Sequence, residues 1–144
     1  MNKTTALSAV LLSSLIVPLT GCAALMDQLE NEASTQFDST ADLEKNWGKA
    51  APWLPSDATG IQTHESTAGD PAILSAKSVA PLEPSVCAET ERHSAPAFQE
   101  EWSPSNVFVD RVYACGDWTV IPTEDGWFGW TPNDPDEKAA SPAS

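Results

Sequence analysis

The chain has 144 residues, with 21 acidic against seven basic side chains and a formal net charge of −14. That balance excludes nucleic-acid binding as a main activity, because contact with phosphates depends on Lys and Arg displacing counterions. Two histidines, three cysteines and no C-x-x-C spacing leave no structural zinc site, which wants four N or S ligands, so no metal and no cofactor is expected.

Residues 1–21 read as a signal peptide. Lys3 gives a short positive start, Ala6 to Val17 an apolar run of secretory length, and Pro18 closes it. The run is too short and too rich in serine to span a bilayer, which takes about 20 mostly apolar residues. Leu19-Thr20-Gly21-Cys22 follows directly. This stretch resembles the lipobox cut by lipoprotein signal peptidase. The resemblance implies that the Cys22 sulfur carries a diacylglycerol, with acyl chains of the palmitate kind, and that Cys22 becomes the mature N-terminus. An ordinary secretory signal with a chance cysteine is the competing reading. Two acyl chains give a stable anchor where one holds only marginally. Cleavage removes Lys3 and no acidic residue, so the mature surface is more acidic still and is repelled by anionic lipid heads.

Residues 22–51 read as a tether, partly helical. Leu25, Met26, Leu29 and Ala33 recur at helical spacing, and Ser34 to Thr40 breaks the pattern. Ser39 with Asp42 three residues on resembles a capping box, Leu43 and Trp47 share a face, and Gly48 is a plausible stop. A flexible polar tether with transient helix competes equally, since helices this short are marginal alone.

Residues 52–132 read as one small globular domain, with Pro52 and Pro55 marking its start. Strands are expected over Ile61–Thr67 and Ala72–Val79, the second ended by Pro81 and Pro84. Cys87 to Trp102 is mostly polar, with Pro96 suited to open a short helix that would put Phe98 and Trp102 on one face. Val107–Cys115 and Trp118–Pro122 are rich in β-branched and aromatic residues and read as strands. Thr123 to Gly126 reads as a hairpin loop, with Gly126 free to take positive φ, and Trp127–Thr131 returns. Residues 133–144 read as a disordered, dispensable acidic tail by composition. The fold class expected is α+β: a small antiparallel β-sheet domain with a helical N-terminal lead-in, one disulfide and a disordered C-terminal tail.

With Cys22 assigned to lipid, Cys87 and Cys115 are the one remaining pair and are expected to be bonded, as the compartment outside the membrane permits; two free buried thiols are the alternative. No G-x-S-x-G elbow is present. His64 and His93 lie among Ser, Thr and Glu, in the manner of solvated surface. Glu100 and Glu101 are adjacent, so on a strand they would point to opposite faces. No catalytic residue is therefore assigned. Along the last strand Trp127 shares a face with Gly129, and Phe128 with Trp130. Trp127 and Trp130 are the candidate ligand-binding residues, a stacking platform for a sugar or peptide; the competing reading has large aromatics supplying the domain's own core.

The stretch Trp53 to Ile61, with Cys87, Tyr113-Ala114-Cys115-Gly116 and the Trp-rich hairpin, resembles small uncharacterised lipoproteins of actinobacteria. The resemblance implies attachment to the outer face of the cell membrane in a Gram-positive type envelope, and it carries no activity or catalytic residue with it. The function expected is a membrane-anchored extracytoplasmic lipoprotein and non-catalytic binding module, its partner an envelope protein or glycan. A small cell-envelope hydrolase is the alternative.

Overall fold

The structure is a computed structural model that describes residues 31–142. The expected signal peptide, Cys22 and most of the expected first helix lie outside the described residues. Seven strands form one antiparallel sheet: β1 (Glu32–Ser39), β2 (Thr59–Ser66), β3 (Ala72–Lys77), β4 (Ala88–Glu91), β5 (Arg111–Cys115), β6 (Trp118–Pro122) and β7 (Gly126–Thr131). Their order across the sheet is β1-β2-β3-β7-β6-β5-β4, so β1 and β4 are its edges. The described residues also form two short helices, α1 (Thr40–Asn46) and α2 (Pro135–Ala140). The architecture is thus mostly β.

Strand alternation sorts the apolar residues into two cores, one on each face of the sheet. On β3, Ala72, Leu74 and Ala76 enter the first core while Ile73 enters the second. The first core also takes Leu43 of α1, Trp47, Trp53, Leu54, Leu82 and Trp118. The second takes Val112, Ile121, Phe128 and Trp130. Phe98, Trp102, Val107 and Val109 pack over it from the long segment between β4 and β5. A sheet covered on both sides buries consecutive positions, as in Trp118 to Ile121, where only Thr119 is polar, and in Phe128 to Trp130.

Several expectations are corrected. The supposed tether contributes to the domain: Glu32–Ser39 is a full edge strand, in register with β2 from Glu32↔Ser66 to Phe37↔Ile61. Ala33, counted above on a helix, lies in that strand. The ladder with β2 supplies what the polar sequence lacks, and Phe37 alone sinks into the core. α1 does start where expected, with the Ser39 hydroxyl accepting from the Asp42 N–H at 3.2 Å. It ends at Asn46, with Trp47 rather than Gly48 as its C-cap. No helix follows Pro96. That segment is irregular; Arg92 ties its two ends by bonding the carbonyls of Ser94 and Val109, and Phe98, Trp102 and Val107 between them pack onto the second core. A short strand, Ala88–Glu91, precedes it, and the strand expected from Val107 begins only at Arg111.

The expected acidic tail is ordered as far as it is described. Asp134 caps α2 and Pro135 opens it, with a complete capping box between Asp134 and Glu137. Glu137 is fully buried. Gly126 does not take positive φ. Its role is space: a Cβ there would lie 2.0 Å from the Ala76 carbonyl oxygen.

Candidate functional site

Titratable groups converge at one place in the sheet. On β2, Ile61, Thr63 and Glu65 face the first core's side, so His64 faces the other, beneath Phe98, whose ring centroid lies 4.6 Å from the imidazole. His64 Nε2 lies 3.1 Å from Glu32 Oε2 on β1. Its Nδ1 lies 2.8 Å from the Ser34 hydroxyl on β1 and 2.8 Å from Glu100 Oε1 on the segment above. Ser34 and His64 are direct cross-strand neighbours.

A serine, a histidine and a carboxylate within hydrogen-bond reach are the components of an activated nucleophile. Glu100 changes that reading. With the single proton on Nε2, as a general base at Nδ1 requires, Nε2–H donates to Glu32 and bare Nδ1 accepts from Ser34, so the Glu100 oxygen faces a lone pair. With both nitrogens protonated, each carboxylate has a donor, but Nδ1 has no room to take the serine proton. Glu100 also brings negative charge close to the Ser34 hydroxyl, which disfavours an oxyanion forming beside it. The cluster is built to tie β1, β2 and the β4–β5 segment together. The two carboxylates occupy opposite edges of the ring, and no group of three His, Cys, Asp or Glu among the described residues is arranged to hold a metal ion. His93 is exposed, and its backbone N–H bonds Glu137. Glu100 and Glu101 lie outside any strand, and only Glu100 joins the cluster.

The tryptophan platform is not formed. Trp130 is completely buried, packs on Phe128, and donates its Nε1–H to the Ser94 hydroxyl at 2.8 Å. Trp127 is half-buried, meets Tyr113 edge to face at 5.9 Å, and donates to the Ala80 carbonyl at 3.1 Å. Both indole donors are thus used internally. The alternation placing Trp127 with Gly129, and Phe128 with Trp130, holds. Gly129 leaves its face open to Trp53 and Trp118, whose rings meet at a tilt of 58° with centroids 5.8 Å apart. Trp127 itself lines an open groove of about 550 Å³, with Ser78 to Pro81 and Pro122 to Gly126. Its Ser78–Ala80 turn is held by Asp57, which accepts from the Ser78 hydroxyl and from the N–H groups of Val79 and Ala80. The Ser78 bond leads in holding the Asp57 pKa below the ordinary value, slight burial opposes it, and the two backbone donors add to it.

The most heavily bonded side chain was not picked out from sequence. Glu137 accepts from the backbone of His93 at 2.6 Å and of Ser94 at 2.9 Å, from the hydroxyls of Ser94 and Thr119, and from the backbone of Asp134 at 3.2 Å. Burial is the largest influence on its pKa and pushes it up; the bonds from Ser94, Thr119 and the backbone together outweigh it, so the pKa lies below the ordinary value. The pattern Asp134-Pro135-Asp136-Glu137 is the available signal, an N-cap followed three residues later by Glu.

Cys87 and Cys115 form a disulfide, with Cα atoms 4.3 Å apart. They are one position beyond the Ala88↔Ala114 pair, so the bond crosses between β5 and the residue before β4, and both sulfurs lie in the first core. No helix among the described residues is long and apolar enough to cross a membrane. In comparisons with protein-family models, curated proteins and solved structures, nothing matches this chain.

Proposed function

We propose that the chain is a lipid-anchored domain on the outer face of a bacterial cell membrane, and that it works by non-catalytic binding to an envelope partner. The Leu19-Thr20-Gly21-Cys22 stretch behind an apolar run supplies the anchor. The observation that carries the reading is the buried Cys87–Cys115 bond: disulfides persist in oxidising compartments, and a small extracytoplasmic domain is where one is needed. Of the two indoles proposed as a platform, Trp130 is buried in the core, while Trp127 is half-buried and lines the open groove. Replacing Cys22 with Ala and following fractionation tests the anchor. The protein should move from the membrane to the soluble fraction, and unchanged membrane association refutes it.

The proximity of Ser34, His64 and Glu32 favours a second reading, a small hydrolase. Glu100 at Nδ1 weighs against it. A fluorophosphonate probe should leave Ser34 unlabelled; labelling that disappears in Ser34→Ala would establish the hydrolase instead.

A further inference from the structure

The two edges of this sheet are treated unequally. β4 is four residues long, α2 packs beside it, and Glu137 holds the chain just beyond it. β1 is eight residues long, and β2 is its only strand neighbour among the described residues. Proteins guard a long edge with charged side chains, lysine above all, or with proline, a bulge or a covering element, and the guards on β1 are the acidic Glu32 and Asp38. Glu-Ala-Ser-Thr-Gln-Phe-Asp-Ser has no lysine and no proline, and its register with β2 is unbroken from Glu32 to Phe37.

One hydrogen bond tells which backbone groups face outward. The Asp38 N–H donates to the Asp42 carboxylate of α1 at 3.3 Å, so it is outside the ladder with β2. In an antiparallel pair, alternate residues exchange their backbone bonds with the partner and the residues between turn theirs away. Gln36, Ser34 and Glu32 alternate with Asp38 and therefore present N–H and C=O groups outward. The strand is already fixed: Glu32 and Ser34 are held by His64, the Thr35 carbonyl accepts from the Thr63 hydroxyl, and Phe37 is buried. An edge held this way has little ordering left to lose on association.

We infer that the β1 edge takes an extended, basic segment of a partner polypeptide as an eighth strand. Main-chain bonds supply the attachment, as in other strand additions. Charge selects the occupant: Glu32, Asp38, Asp42 and Glu100 lie on or beside the edge, β1 has no basic side chain, and the chain as a whole is at −14. A second copy would bring the same charge against itself. This inference rests on the non-catalytic binding reading above and names the partner class for it.

The test uses the full chain, labelled with ¹⁵N and purified in detergent, and a synthetic peptide of alternating Lys and Val. Peptides of alternating Glu and Val, and a Lys-Val peptide with a central proline, are the controls. The Lys-Val peptide should slow amide exchange at Ser34 and Gln36 at least tenfold, and neither control should. Gln36→Pro removes an outward donor without a ladder bond, so it should abolish protection at Ser34 while leaving the melting temperature unchanged. Unchanged exchange with the Lys-Val peptide overturns the inference, as does equal protection by the Glu-Val peptide or undiminished Ser34 protection in Gln36→Pro. Protection without any peptide, together with a dimer in sedimentation, assigns the edge to a second copy and also overturns it. Fractionation of Cys22→Ala is read separately, so failure of the anchor and failure of the edge are distinguishable.

Discussion

Replacing Glu137 tests whether the C-terminal helix belongs to the domain. Its carboxylate is fully buried and takes five hydrogen bonds, from His93, Ser94 twice, Thr119 and Asp134. Glu137→Ala leaves those donors without their acceptor. Each neutral donor left buried without a partner costs about 1–3 kcal/mol, and with partial rescue by water the total is about 3–5 kcal/mol. A domain of this size holds roughly 5–15 kcal/mol in total. The loss is therefore a large share of the stability, and at about 4 °C per kcal/mol it lowers Tm by roughly 12–20 °C. Glu137→Gln keeps one acceptor oxygen and should lose about 1–3 kcal/mol. The sign with pH follows from the depressed pKa. The contribution is complete above the unfolded carboxyl value and is lost as pH falls through the lower folded value. Urea denaturation of wild type should weaken progressively below about pH 4.5, and Glu137→Gln should show less of that dependence. Circular dichroism melts decide the matter. A Glu137→Ala Tm within 2 °C of wild type, as for a truly dispensable tail, refutes the reasoning.

Three further outcomes follow from the packing. Gly129→Ala puts a Cβ 2.7 Å from Trp53 Cζ2 and 3.2 Å from Trp118 Cε3, so overpacking should cost about 1–3 kcal/mol in urea denaturation; a neutral result would mean the indoles move aside freely. Breaking the Cys87–Cys115 bond, by the double serine variant or by reduction, should cost roughly 3.5 kcal/mol, and alkylation of native unreduced protein should modify neither cysteine; labelling at both would refute the bond. Trp130→Ala should cost about 3–5 kcal/mol and half-exposed Trp127→Ala clearly less, whereas equal and negligible losses would restore both to a surface role.

The legible parts of the fold were those whose own residues carry the pattern. Trp118–Pro122 is dense in β-branched and aromatic residues and forms a strand with those bounds. Ser39 and Asp42 announced a helix start that depends only on neighbours in sequence. β1 was illegible because it is polar: one buried residue, Phe37, is too little to betray a strand whose stability comes from pairing with β2. The segment after Pro96 has helical spacing between Phe98 and Trp102, yet an extended chain brings Phe98 onto His64 and Trp102 onto Phe128 instead. Composition made residues 133–144 look featureless, although the Asp134–Glu137 box was a local signal that outweighs it. The His64 cluster joins Glu32, Ser34 and Glu100 across at least 30 positions, and no spacing in a single sequence foretells such a meeting. The aromatic hairpin gave the right alternation, but burial of Trp130 depends on Ser94, 36 positions away.

The central claim is a domain tethered through Cys22, and intact mass spectrometry of the protein extracted from membranes tests it most directly. The account predicts a chain that has lost residues 1–21, begins at Cys22 and carries the added mass of a diacylglycerol on that cysteine, with no such species in Cys22→Ala. An unmodified chain that retains residues 1–21, or one cleaved elsewhere and released without lipid, would contradict it.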